Sequence, residues 1–203
     1  MEYVKSENGL VVIGLHGEYG EDGWIQERLE KMKIPFTGSN SVSSKLAMNK
    51  QLSQEIVKSL VSIIPTYKFR YPGDFDQEIA KTKLGKQLKY FIKPNAKGSS
   101  VHTFILESLD EVKTALEGLP VDDYLLQPAI SGLELSQGVL FDGVKFLNLP
   151  CTAIYPKTGF FDYKAKYTIG ASEEITPPDL PTEILNKISD TASQIHQTLG
   201  LGS

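Results

Sequence analysis

From Leu10 to Leu15 the chain is an unbroken run of apolar residues and one glycine, without the polar alternation of a half-buried strand. It predicts a strand buried on both faces. A polar, glycine-punctuated turn from His16 to Gly23 follows. Ile25, Leu29 and Met32 then recur at helical spacing after Asp22, a candidate N-cap, and Pro35 closes the segment, giving one α/β unit. Serines 41 to 44 lead into a second helix, on which Met48, Leu52, Ile56 and Leu60 form one apolar stripe with Lys50 on another side. From Tyr67 to Lys89 the pattern is mixed, with a Tyr-Pro-Gly turn. Tyr90 to Lys93 reads as a short strand stopped by Pro94, with Lys93 at its exit.

A small, polar loop (Asn95 to Ser100) and a strand from Val101 to Leu106 make this a pair of strands around a tip. Ser108 and Glu111 have capping-box spacing ahead of a helix with Val112, Leu116 and Leu119 inward. Strands are expected at Tyr124 to Leu126, Leu133 to Phe141 and Val144 to Leu149, the last two joined by an Asp142-Gly143 turn. A final helix buries Ile184, Ile188, Ile195 and Leu199 and stops at Gly200. The stretch from Lys157 to Pro181, rich in aromatics and lysines, reads as a long functional loop.

Composition narrows what such a chain can bind. Its 21 basic and 25 acidic residues leave a net charge of -4. No general attraction to polyanions follows, nucleic acid is not an expected partner, and a bound phosphate must be met by a few placed cations. The single cysteine, Cys151, excludes an intrachain disulfide and reads as a small packing residue. The longest apolar run is far shorter than the roughly 20 residues of a membrane helix, and no export signal opens the chain. A soluble, cytoplasmic protein is expected. Trp24 and His196 are read as structural residues, the latter on a helix surface.

Three segments could carry chemistry. Lys93 at a strand end, followed by Gly98-Ser99-Ser100, offers a phosphate chain one cation, backbone N–H groups and two hydroxyls; a solvated surface hairpin fits as well. The helix start after His16-Gly17-Glu18-Tyr19-Gly20 could dock a carboxylate beside His16, with Glu21 or Asp22 orienting the imidazole. Alternatively Asp22 merely caps the helix, although three closely spaced glycines favour a site. Phe160 to Tyr167 sets two lysines among four aromatics, suited either to clamping a polyanion or to a surface strand.

Taken in order, Leu15-His16-Gly17-Glu18-Tyr19-Gly20-Glu21-Asp22-Gly23, Ala47-Met48-Asn49-Lys50, Phe91-Ile92-Lys93-Pro94 with Gly98-Ser99-Ser100-Val101, Gly132-Leu133-Glu134-Leu135, and Phe161 to Tyr167 resemble D-alanine:D-alanine ligase. The resemblance implies an α/β (α+β) fold: an incomplete ATP-grasp preceded by part of a Rossmann-like N-terminal domain. The implied divisions are residues 1–43 for the substrate-binding N-terminal part, 44–123 for the small central subdomain and 124–203 for the start of the C-terminal subdomain. It further implies ATP-dependent joining of two D-alanines through an acylphosphate, for peptidoglycan synthesis.

By matching position, Lys50 and Lys93 would bind ATP phosphates, Ser99 and Ser100 would lie in the phosphate-covering loop, Gln127, Pro128, Ala129 and Ile130 would line the adenine, and Glu134 would hold the ribose. His16 and Glu21 would place substrate, and Lys166 and Tyr167 would close over the reacting centre, Tyr167 bearing on dipeptide rather than ester formation. The sequence departs from the family at Gln127 (usually Glu), Asn49 (commonly Asp) and His102 (usually Gly). Mg²⁺ is expected for the family, but its Asp, Glu and Asn ligands and the glutamate for the first D-alanine have no counterpart here; Glu173-Glu174 is a pair by charge only. A homodimer is the family's common state. Open beside the ligase reading are a nucleotide-binding fragment without catalysis and another ATP-grasp carboxylate–amine ligase.

Overall fold

The computed structural model describes residues 9–85, 87–157 and 168–202. Its centre is a four-stranded antiparallel sheet in the order β1-β4-β2-β3, built from β1 (Tyr67–Tyr71), β2 (Tyr90–Pro94), β3 (Phe104–Leu106) and β4 (Asp122–Pro128). The two-residue period of the strands divides the sheet into two unlike faces. Tyr67, Phe69, Tyr90, Ile92, Tyr124 and Leu126 form the main core with Ala80 and Leu84 of helix α4 (Gln77–Leu84) and Leu109, Val112 and Leu116 of helix α5 (Leu109–Leu116). The opposite face carries Lys68 and Lys93, each directly across from Leu125, and the Phe91–Gln127 pair. Directly paired residues share a face, so the cations of β1 and β2 lie on the same side.

Local chemistry explains the helices that cover the core. Asp76 starts α4 by accepting from the N–H groups of Glu78 and Ile79 at 2.8 and 3.0 Å, and Ser108 starts α5 by accepting from Glu111 N at 3.2 Å. Both β1 and α4 lie in the stretch where the sequence reading found no regular element. Their signal is nevertheless present: Tyr67-Lys68-Phe69-Arg70-Tyr71 alternates aromatic and basic residues, as a strand with one buried face should.

Helices α1 (Trp24–Lys31), α2 (Ser41–Met48) and α3 (Lys50–Val57) precede the sheet. The serines expected to lead into one long helix are themselves helical. The helix then breaks at Asn49, whose backbone is extended (φ -81°, ψ 95°) and whose Oδ1 accepts from Leu52 N to begin α3. Helix α1 begins at Trp24, with Gly23 as its N-cap residue; Asp22 assists by accepting from Trp24 N at 2.9 Å.

The Leu10–Leu15 strand is not formed. Only Val11 pairs, in a parallel bridge to Phe36, and Leu10, Val12 and Leu15 are exposed. A strand buried on both faces needs backbone partners and packed layers, and among the described residues this run meets only that one edge. The strand expected from Val101 starts instead at Phe104, because Ser99, Ser100 and His102 have φ of 54, 53 and 52°, incompatible with extended backbone.

Beyond β4, strands β5 (Glu134–Ser136), β8 (Thr152–Pro156) and β9 (Ser172–Ile175) form a second sheet, while β6 (Val139–Phe141) and β7 (Phe146–Asn148) form a hairpin through the expected Asp142-Gly143 turn. The single strand expected over 133–141 is thus two strands in different sheets, separated at Gln137-Gly138, where a Cβ on Gly138 would fall 2.9 Å from the Leu149 side chain. An expected division between residues 123 and 124 falls inside β4, which is hydrogen-bonded to both β1 and β2.

Helix α6 (Thr182–Thr198) lies on the β6–β7 hairpin through a polar stripe. Ser193 Oγ is 2.9 Å from Asn148 Oδ1, and the His196 ring meets Phe146 edge-on at 5.3 Å. His196 is buried, not on the surface, while Ile184 is exposed. Gly200 (φ 63°) ends the helix as expected, and Ser43 Oγ donates to its carbonyl at 2.6 Å, tying the helix end to α2.

Candidate functional site

A cleft of about 690 Å³ opens between the start of α3, the tip of the β2–β3 hairpin and the exit of β4 toward β5 and β8. Lys50, Lys93, Lys97 and Gly98-Ser99-Ser100 line one part, and the apolar Ile64, Phe91, Ile105, Pro128, Ala129 and Ile154 line another. Gln127, Ile130 and Glu134 also border it. Lys50, Lys93, Ser99, Ser100, the segment 127–130 and Glu134, named separately from the sequence, are thus brought to one cavity.

The two inner lysines are electrostatically unusual. Lys50 is the first residue of α3 and is held over the hairpin tip: its N–H donates to Asn95 O at 3.1 Å, and its ammonium donates to Asn95 O at 3.3 Å and Lys97 O at 2.5 Å. Burial, and then repulsion from Lys93, pushes its pKa down to about 8, against a weaker opposing pull from Asp122. Lys93 stands at the end of β2 with its ammonium 5.2 Å from the Phe91 ring centre, and burial lowers its pKa too. Among the described residues neither lysine has a carboxylate within ion-pair distance, whereas the outer lysines do: Lys89 pairs with Glu107 at 2.8 Å and Lys97 with Glu18 at 3.1 Å. Two partly desolvated cations in one cleft, unmatched by carboxylates among the described residues, are suited to a polyanion.

Asn95 organises this end and was passed over in the sequence, where it reads as one more polar loop residue. It is buried; its Oδ1 accepts from Gln51 N at 3.0 Å, its Nδ2 donates to Asn49 Oδ1 at 3.1 Å, and its N–H donates to Asp123 O at 2.8 Å. It therefore locks the start of α3, and with it Lys50, to the end of the two inner strands. At the other end the Gln127 side chain is turned to Thr66, Nε2 to Oγ1 at 2.7 Å.

His16 and Glu21 lie outside this cleft. Their side chains are 3.7 Å apart and both exposed, and Glu21 accepts from Gly17 N at 2.8 Å. Glycines 17, 20 and 23 have backbone reasons of their own: a Cβ at Gly20 would fall 2.5 Å from Leu15 O, and one at Gly23 (φ 88°) 2.5 Å from Ser41 O. Gly17 and Glu18 do border a second hollow of about 420 Å³, and Lys97, Gly98 and Ser99 line both hollows. The hairpin tip is therefore the wall between the His16 region and the cationic cleft. Lys166 and Tyr167 lie outside the described residues.

A model of the family described as D-ala D-ala ligase C-terminus matches residues 61–203. The chain belongs to the D-alanine–D-alanine ligase family. It is 37% identical over 194 residues to the D-alanine–D-alanine ligase of Geobacter sulfurreducens, covering 94% of this chain and 59% of that one. With the Leptospira biflexa ligase it shares 37% over 194 residues, covering 93% and 56%. The chain thus spans under three fifths of these relatives' length. Among solved structures, the ligase of Bacillus anthracis complexed with ATP superposes with a TM-score of 0.78 at 25% identity, covering 98% of this chain and 63% of that one. The VanG D-Ala:D-Ser ligase from Enterococcus faecalis gives 0.79 at 28%, covering 95% and 57%. These ligase structures share the ATP-grasp fold with the chain.

Magnesium finds no donor set among the described residues. Among the described residues no group of three or more His, Cys, Asp or Glu side chains converges to hold a metal ion, and Glu173 and Glu174 are exposed on β9. No step below is routed through a metal.

Proposed function

We propose that the cleft holds ATP, the triphosphate over Lys50 and Lys93 beneath the Gly98-Ser99-Ser100 tip and the base in the apolar end beside Phe91 and Ala129. The observation that carries this reading is the pair of partly desolvated lysines lining one cleft, without a carboxylate partner among the described residues. A triphosphate returns to them the charge balance that the fold withholds, and the pull grows as water leaves the cleft. Glu134, at the rim, is placed for the ribose hydroxyls.

The chemistry we assign to this chain is ATP-dependent joining of two D-alanines, in the cytoplasm, for peptidoglycan synthesis. One carboxylate oxygen attacks the γ-phosphorus and ADP leaves; the amine of the second D-alanine then attacks the acyl carbon, and inorganic phosphate leaves as the peptide bond forms. Lys93 and Lys50 offset the charge on the transferred phosphoryl group. His16, steadied by Glu21, borders the approach of the carboxylate substrate from the far side of the hairpin tip. Lys166 and Tyr167 enter this proposal through the family resemblance alone.

The depressed pKa of Lys50 gives the site a pH dependence. In the free protein Lys50 loses its proton above pH 8, and a neutral amine does not hold phosphate. ATP affinity is expected to fall by about tenfold between pH 7 and pH 9, and Lys50→Met to flatten that fall; calorimetric titration across the range checks it. The stability linkage has the opposite sign. Between pH 8 and the ordinary lysine value of 10.5 the unfolded chain binds the Lys50 proton more tightly than the folded one, so stability rises through that window.

The reaction is tested by D-alanine-dependent phosphate release from Mg-ATP by the purified chain, with Lys93→Ala as control for contaminating ligase. Release that vanishes in the variant is expected. Release equal in both, or none from a folded chain, contradicts ligase activity for this chain.

A further inference from the structure

Resting on the reading that the ATP phosphates meet Lys50, we infer that Asn49 and Asn95 are positioning residues: their side-chain amides form a clamp that closes the start of α3 and leaves the Lys50 side chain as that helix's contribution to the phosphates. The two residues stand 46 positions apart, at the entry to α3 and at the turn after β2. Between them they take the first three N–H groups of the helix. The N–H of Lys50 donates to the Asn95 carbonyl at 3.1 Å, that of Gln51 to Asn95 Oδ1 at 3.0 Å, and that of Leu52 to Asn49 Oδ1 at 3.1 Å. A helix start commonly offers such groups to an anion. Here they are spent, and the cation on the helix's first residue takes over that role.

The direction of both amides follows from these contacts. A backbone N–H can only donate, so the Asn95 atom facing Gln51 N is the oxygen, and the one facing Asn49 is the nitrogen. Asn49 Oδ1 is likewise fixed as an acceptor by Leu52 N, and it also accepts from Asn95 Nδ2 at 3.1 Å. Turning either amide over would set donor against donor at a helix N–H. Asn95 is buried at 3% exposure, where such a mismatch is costly. Its own N–H is bonded to Asp123 O at 2.8 Å, so the clamp is anchored to the central sheet. The carbonyl of the same residue accepts from the Lys50 ammonium at 3.3 Å, beside Lys97 O at 2.5 Å. Both ends of Lys50, its N–H and its ammonium, are therefore set by Asn95, and Asn49 holds the Asn95 side chain in place.

The test is a double-mutant cycle in ATP affinity, by calorimetric titration at pH 7 of the chain and its Asn95→Ala, Lys50→Met and doubly substituted variants. Asn95→Ala should weaken ATP binding by about fivefold or more in the wild-type background. In Lys50→Met it should cost nothing further, because the asparagine acts through that lysine. An asparagine that only supports the fold would cost the same in both backgrounds. Equal losses in the two backgrounds, or no loss in the wild-type one, overturn the inference while leaving ATP binding in the cleft intact; absence of ATP binding by the wild type overturns both. If Asn95→Ala does not fold, Asn49→Ala, which removes the acceptor of the Asn95 amide, must show the same dependence on Lys50, and a loss that persists undiminished in Lys50→Met overturns the proposal.

Discussion

Lys93→Ala is expected to weaken ATP binding by about a hundredfold while leaving the fold as stable as before, or slightly more so. Contacts from a charged group to phosphate in a partly dry site contribute about 1.5–3 kcal/mol each, and at roughly 1.4 kcal/mol per factor of ten the upper part of that range is two decades. The stability half of the expectation has a separate cause. Without ligand, the ammonium of Lys93 is partly desolvated, with only the Phe91 ring and another lysine for company among the described residues. Its loss relieves repulsion on Lys50 and removes a desolvation cost. Calorimetric titration and urea unfolding of the same preparations report the two quantities independently. A variant that binds ATP as tightly as the wild type contradicts the phosphate site; one that binds weakly only because it unfolds shows that Lys93 is a structural residue.

The largest stability effect is expected one residue earlier in β2. Ile92 is fully buried and sits in register between Leu126 of β4 and Phe104 of β3, on the face closed by α4 and α5. Truncation to alanine leaves a cavity that a sheet bonded on both sides cannot close, and costs about 2–5 kcal/mol. Leu88→Ala, at a residue 90% exposed just before the same strand, should shift stability by no more than about 0.5 kcal/mol. Urea midpoints measured in parallel decide it: similar losses at the two positions contradict the assignment of the core. Because Ile92 and Lys93 point to opposite faces, the pair also separates what holds the sheet from what uses it.

The sequence shows the central hairpin and the cationic cleft more clearly than the chain's beginning. Lys93, Gly98 to Ser100 and Glu134 are legible because each stands at a strand end or glycine-rich turn, where side chains and N–H groups are available to a ligand. Thr66 and Asn95 are not: their contacts with Gln127 and Gln51 reach across 61 and 44 positions of sequence, which no local pattern encodes. Strand β1 is hard to read although its alternation is plain, because its outward residues are basic and two of its three inward ones, Tyr67 and Tyr71, carry hydroxyls. Leu10 to Leu15 erred the other way. Its composition is that of a buried strand, but a strand is made by its partners, and the described residues supply one bridge at Phe36. His196 shows a third kind of limit: helix α6 turns Ser193 and His196 toward the β6–β7 hairpin, so reading its isoleucines as the buried side assigns the histidine to the surface.

Hydrogen exchange of the chain with and without ATP tests most directly where the nucleotide sits. Exchange should slow at residues 97–103 and 127–132 and stay unchanged in α4 and α6. Protection confined to the helices, with both of those segments exchanging as in the free protein, would contradict it.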